Sequence, residues 1–193
     1  MTSLPSSFVK TNKPFELIHI DVWGPYKHKT FDGCSFFLTM VDEFSRATWI
    51  YLMKHKHQSV TFLKQFCVYI ETQSHSHIQS IRSDNAKELC DGEALQFYLH
   101  KGIFHQRSCI DTPQQNGVVE RKHRHLLGID RALSFQSNLP TCFWGERIKT
   151  AVYLINRLPL SCLNNTSPYE KLYGHKPNNS HFKTVGCLCF VST

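Results

Sequence analysis

Three carboxylates stand where acids need a physical reason. Asp21 interrupts an alternating apolar run, Phe15 to Val22 (F-E-L-I-H-I-D-V). Strand interiors disfavour Asp, because a buried carboxylate must be paired or bound to a cation. Asp84 lies just past a second short run, in I-R-S-D-N, and Glu120 lies in the first turns of a long helical stretch after T-P-Q-Q-N-G-V-V. Thirty-five residues separate Asp84 from Glu120. If folding gathers all three, they repel one another unless cations intervene. Oxygen-only sites favour hard ions, Mg²⁺ or Mn²⁺. Two such ions would clamp the attacking and leaving oxygens of a phosphodiester during in-line displacement. Singly, each acid also has a plain reading: Asp21 on an edge strand, Asp84-Asn85 in a turn, Glu120 as a helix N-terminal acid.

The elements that must position these acids follow from the apolar spacing. Strands are expected over 15–22, 36–41, 47–53, 78–82 and 103–108. Val60, Leu63, Phe66, Cys67 and Ile70 recur at helical spacing and predict a helix over Ser59–Glu71. Residues 92–101 predict another, closed by Gly102. A Pro-, Gln- and Asn-rich loop, 111–117, leads into a long helix over about 118–136, and a further helix is expected over about 141–157. Ser167-Pro168-Tyr169-Glu170 reads as a capped helix start ending at Gly174. Residues 1–14 read as a linker or tail, 15–178 as one α/β core, and 179–193 as a β-rich extension whose last run is Val185 to Val191. Three strands that can pair antiparallel, followed by alternating helices and strands, imply a mixed five-stranded sheet with helices on both faces.

Around Glu120 the sequence is basic: R-K-H-R-H follows it directly. His123 and Arg124 come three and four residues later, on its helical face, and are candidates for holding a DNA phosphate. Lys122 points elsewhere and would bind at a distance. Gln114 and Asn116, in the loop before the helix, carry amides that can bond phosphates or base edges. Trp23, Trp49 and Trp144 read as core residues.

The segment D-T-P-Q-Q-N-G-V-V-E-R-K-H-R-H-L-L resembles the third-acid segment of copia-type retrotransposon integrases. The resemblance continues through H-I-D-V-W-G-P, F-L-T-M-V-D-E-F-S-R-A-T-W-I-Y, R-S-D-N, H-Q-R-S-C, N-L-P-T-C-F-W-G-E, A-V-Y-L-I-N-R-L-P and S-P-Y-E-K-L-Y-G-H-K-P, in order, over about residues 15–191. It implies a ribonuclease H-like catalytic core that joins and cleaves DNA. Asp21, Asp84 and Glu120 would hold two Mg²⁺ or Mn²⁺ ions, with Asp21 shared. It also implies a loop at Gln114 beside the scissile phosphate, DNA as partner, at least a dimer, and work in the nucleus. Where the family commonly has S-D-N-G-G-E, this chain has Ser83-Asp84-Asn85-Ala86-Lys87-Glu88, so a strained backbone is expected if those positions need positive φ. Gly128 and Asp130 are also poor helix formers within the long helix. The family's zinc module is absent from these 193 residues, so an isolated core is expected. The alternative is an inactive nucleic-acid-binding or dimerisation remnant of a transposon polyprotein.

Composition agrees with a nucleic-acid partner. Lys plus Arg number 22 against 15 Asp plus Glu, a formal charge of +7 with neutral His. No apolar run approaches the ~18 residues of a membrane span, and no secretory h-region opens the chain, so an intracellular protein is expected. The eight cysteines include no C-x-x-C pair and read mostly as buried thiols. The His-x-His pairs (His55/His57, His75/His77, His123/His125) lack a second ligand pair at short spacing, which weighs against structural zinc.

Overall fold

The computed structural model describes residues 11–107 and 116–187. Among them, five strands form one sheet: β1 (Leu17–Trp23), β2 (Phe36–Asp42), β3 (Thr48–Met53), β4 (Ser80–Ser83) and β5 (Phe104–Arg107). Their order is β3-β2-β1-β4-β5. The β1–β2 and β2–β3 pairs are antiparallel, while β1–β4 and β4–β5 are parallel. The helices are α1 (Ser59–Ser74), α2 (Lys87–Cys90), α3 (Gly92–Lys101), α4 (Gly117–Ser137), α5 (Trp144–Ile155) and α6 (Pro168–Tyr173). The expected mixed, five-stranded α/β architecture is what the chain adopts.

Period-two alternation sorts the sheet into two faces. Ile18 and Ile20 of β1, Leu38 and Met40 of β2 and Ile81 of β4 join the larger core, under Leu63, Phe66 and Ile70 of α1 and Ala94 and Tyr98 of α3. Each fully buried aliphatic or aromatic side chain of this kind stabilises the fold by roughly 1.5–3 kcal/mol. Phe37 faces the other way, into a second core with Leu126 of α4 and Trp144, Ile148, Ala151 and Ile155 of α5. The alternate residues of β1 (His19, Asp21 and Trp23) therefore turn toward the α4–α5 side. Close packing holds α5 down: a Cβ on Gly145 would stand 2.7 Å from a Leu52 methyl and 2.9 Å from the Thr30 methyl.

Local chemistry sets the boundaries. Helix α1 runs to Ser74, three residues past its last predicted position, because nothing stops it until His75 adopts a left-handed φ of 47°. The expected stop at Gly102 is present, with φ 67°. Ser167 caps α6, its hydroxyl accepting from the Glu170 N–H at 3.1 Å. The strain expected after Asp84 is not found: Ala86 has φ −59° and Lys87 opens the short helix α2. Both residues suit these conformations, so the family's glycines are dispensable there. Residues 185–187 form no strand, and the rest of the expected last run lies outside the described residues. Of the cysteines described, Cys34, Cys67 and Cys90 are buried, whereas Cys162 and Cys187 are exposed.

Candidate functional site

Asp21 lies near the carboxyl end of the central strand β1, on the face toward α4. In the parallel β1–β4 pair, Ile18 is opposite Ile81 and His19 opposite Arg82. Continuing that register two residues brings Asp84, just beyond β4, level with Asp21. Adjacent strands run about 4.8 Å apart. Glu120 reaches the same region from the first turn of α4. The three acids thus come from three different elements.

Their proximity has an electrostatic signature. Burial first, then the Asp84 and Glu120 carboxylates, push the Asp21 pKa up to about 7, against a single backbone N–H from Val22 at 2.8 Å and the more distant Lys56 ammonium. Asp84 is half-buried and accepts from the Ala86 N–H at 3.1 Å. Glu120 is exposed. Among the described residues, no group of three or more His, Cys, Asp or Glu side chains is drawn tightly enough to form a finished metal cage; that holds for the His-x-His pairs as well as for the acids.

The donor set nonetheless fits a hard divalent cation. It is all oxygen, and burial together with the Asp84 and Glu120 charges disfavours the ionised form of Asp21, which a cation would favour.

The basic residues after Glu120 divide sharply. His123 is buried. Its Nε2 hydrogen-bonds with the Thr39 hydroxyl at 2.9 Å, and its Nδ1 stands 3.7 Å from Asp21 Oδ2. Thr39 is the cross-strand partner of Asp21. Burial pulls the ring's pKa down to about 4, so it stays neutral beside the acid. His123, read from the sequence as a candidate for holding a DNA phosphate, is thus buried next to Asp21, with its ring bonded to Thr39. Lys122 is also buried, its pKa lowered to about 8 by burial and by Arg46. Its charged neighbours include Arg46 of the β2–β3 turn. Arg124 is exposed and lines an open cavity beside α4. Asn116 is buried at the start of α4, its side-chain oxygen without a hydrogen-bond partner among the described residues. Gln114 lies outside the described residues.

Sequence reasoning missed a buried ion pair. Asp130 of α4 accepts from Arg147 Nε of α5 at 2.8 Å, and both side chains are almost wholly buried. Asp130 therefore sits in a helix interior for tertiary reasons. The signal was there: Val119, Leu126 and Leu133 mark the buried stripe of α4, and His123 and Asp130 fall on it at helical spacing.

A family model described as integrase core domain matches residues 11–113, more than half of the chain. The chain belongs to the integrase core domain family. Among curated relatives, the retrovirus-related Pol polyprotein from transposon RE2 of Arabidopsis thaliana is 36% identical over 186 residues, which are 96% of this chain and 12% of that protein. The chain thus spans about an eighth of that relative's length. Among solved structures, the HTLV-2 integrase catalytic core domain in complex with magnesium, in its trimeric form, aligns with TM-score 0.63 and 20% identity, covering 85% of this chain and 100% of that one. A simian T-cell lymphotropic virus intasome in complex with the PP2A regulatory subunit B56 gamma aligns with TM-score 0.71 and 16% identity, covering 100% of this chain and 66% of that one. The shared fold is the ribonuclease H-like one, and this integrase core places its three acids on it as described above.

Proposed function

We propose that this integrase core is a metal-dependent polynucleotidyl transferase that cleaves and joins DNA, with Asp21, Asp84 and Glu120 as its metal-binding acids. What supports the reading is that the β1–β4 register brings Asp84 level with the half-buried Asp21, with Glu120 in the first turn of α4. Carboxylates that act on one another's charge favour a counter-charge between them. A pair of Mg²⁺ or Mn²⁺ ions, when bound, supplies that charge and stabilises the attacking and leaving oxygens.

The reaction is an in-line displacement at phosphorus. A water or a DNA 3′-hydroxyl forms the new P–O bond, its proton leaves to solvent, and the bond to the opposite oxygen breaks with the electron pair staying on that oxygen. The chain's own contribution is positioning. In this reading Asp21 on β1 and Asp84 just past β4 stand at matching register, and the first turn of α4 contributes Glu120. His123, neutral and fixed by Thr39, packs against Asp21 without competing for its charge. Arg124, a turn along α4 from Glu120, is an exposed cation on the same helical face that would meet a phosphate. Gln114 and Asn116, before α4, are read as further DNA contacts.

The formal charge of +7 supports DNA as substrate. The chain is read as at least dimeric, acting on retrotransposon ends and target DNA in the nucleus. Val68 and Tyr69 on α1 and Tyr153 on α5 leave apolar surface for a second copy. Among the described residues no helix is long and apolar enough to cross a membrane. The test is cleavage and strand transfer on a short oligonucleotide duplex with Mn²⁺, comparing the native chain with Glu120→Gln. Activity that needs the metal and falls at least 100-fold in the variant is expected. Turnover without metal, or salt-sensitive DNA binding with no turnover at any Mn²⁺ concentration, overturns the reading.

A further inference from the structure

Asp21 stands on one face of the sheet; a hydrogen-bond network that the chemistry above does not use lies on the other. Ser83, the last residue of β4, is wholly buried and shares with Ile81 the face under α1 and α3. In the parallel β4–β5 pair Ile81 is opposite His105, so the half-buried His105 ring stands on that face as well. Its neighbour there is Tyr98 of α3, with ring centroids 4.6 Å apart. The network therefore sits where the chain leaves β4 and turns into Asp84.

Its contacts are directional. The Asp84 carbonyl accepts from the Ser83 hydroxyl at 2.8 Å and from the Cys90 thiol at 3.1 Å. The Ser83 oxygen is also 2.8 Å from His105 Nε2. A hydroxyl has one hydrogen, and a carbonyl can only accept. With that hydrogen directed at Asp84, Ser83 must accept from the imidazole, so His105 carries a proton on Nε2. Burial and the Arg107 guanidinium hold the ring below its ordinary pKa, so at neutral pH this is its single ring proton. The other end of the turn is tied down too. Tyr98 donates its hydroxyl to the Leu89 carbonyl at 3.1 Å, and Arg107 Nη2 donates to the Cys90 carbonyl. The Asp84 carboxylate accepts from the Ala86 N–H within the same turn. Its aim is thus set by where this backbone is pinned.

We propose that His105 is a positioning residue for Asp84: its Nε2–H turns the Ser83 hydroxyl onto the Asp84 carbonyl and so fixes the carboxylate where a divalent cation meets it. The proposal rests on the reading of Asp84 as a metal-binding acid. His105 is not itself a ligand, because its ring lies on the face of the sheet away from Asp21. Groups that orient a metal ligand commonly change metal affinity or turnover by about 10–100-fold, and His105, acting through two hydrogen bonds, belongs at the low end.

The test compares variants of the full 193-residue chain that differ in the donor. His105→Phe keeps a ring against Tyr98 and lacks the N–H; His105→Gln brings an amide N–H close to the Nε2 position. Mn²⁺ binding, read by electron paramagnetic resonance, is expected to weaken about tenfold in His105→Phe and to return to within about twofold of native in His105→Gln. Ser83→Ala, which removes the linking hydroxyl and keeps the ring, is expected to match His105→Phe, with melting curves recorded for all three. In cleavage of an oligonucleotide duplex, kcat is expected to fall about tenfold in His105→Phe with KM for the duplex unchanged. In metal-free buffer, nitrogen-15 magnetic resonance of the native chain is expected to show His105 protonated on Nε2, with slow exchange of that proton that is lost in Ser83→Ala. A ring protonated on Nδ1 alone, or a His105→Gln variant as weak as His105→Phe, overturns the proposal. Native Mn²⁺ binding that is undiminished in His105→Phe removes the positioning role alone; a native chain that binds no Mn²⁺ overturns the metal reading and this role with it.

Discussion

Replacing Asp130 with Leu should expose how α4 is held in place. The carboxylate takes the Arg147 Nε at 2.8 Å, and the Arg147 Nη1 is buried with no partner among the described residues. Removing Asp130 leaves the guanidinium, in a site 2% exposed, with the Tyr26 hydroxyl but no counter-charge. Breaking one side of such a pair costs about 3–5 kcal/mol, whereas replacing both sides with apolar groups is often neutral. A protein of this size has a total stability of about 5–15 kcal/mol. The single variant should therefore lose roughly a third of it and melt roughly 10 °C lower. The double variant Asp130→Leu/Arg147→Met should return to within about 1 kcal/mol of the native chain. Urea denaturation followed by tryptophan emission reads both, since Trp144 lies one turn from Arg147. A single variant within about 1 kcal/mol of native, or a double variant no better than the single, would refute the claim that this pair clamps α4 to α5.

Three further outcomes follow from local chemistry. Ser167→Ala removes the α6 cap and should cost about 1 kcal/mol in urea denaturation. Lys122→Met removes a buried ammonium and should stabilise the chain at pH 7. Because the folded pKa of Lys122 is about 8, below its ordinary 10.5, the unfolded chain binds more protons between those values, and stability from this group rises with pH across that window. The difference in unfolding free energy between variant and native should shrink from pH 8 to 10.5; a constant difference would show that Lys122 is not held below its usual range. His123→Phe keeps the packing against Phe37 but breaks the bond to Thr39. It should lower cleavage at least tenfold with little change in DNA affinity, and an equal loss of both would contradict a positioning role.

How far the sequence could be read varied with the physics behind each element. The α3 boundaries are marked by a glycine stop and the α6 start by a serine cap, so local chemistry alone sufficed. Alternation in β1 and β2 told which residues share a face, and the order of elements told that the sheet is mixed. The long helix was harder. Spacing from Glu120 shows that His123 and Arg124 lie near it, but not where the sheet lies. The sheet covers His123 and leaves Arg124 out, because the buried stripe of α4 contains His123 and Asp130 among its aliphatic residues. A stripe with two polar members looks solvated by hydropathy. Trp23 packs against the second core as its type suggested, yet stays half-buried, since how much of a tryptophan is covered is a tertiary property. The alanine and lysine after Asn85 caused no strain, because that backbone takes ordinary φ values here.

The central claim is that Asp21, Asp84 and Glu120 form one divalent-cation site. Titration of the native chain with Mn²⁺, read by electron paramagnetic resonance of the free ion, tests it most directly. Saturable binding in the native chain is predicted, lost or weakened at least tenfold in each of Asp21→Asn, Asp84→Asn and Glu120→Gln when every variant is folded. Binding that survives unchanged in any one of the three would contradict the account.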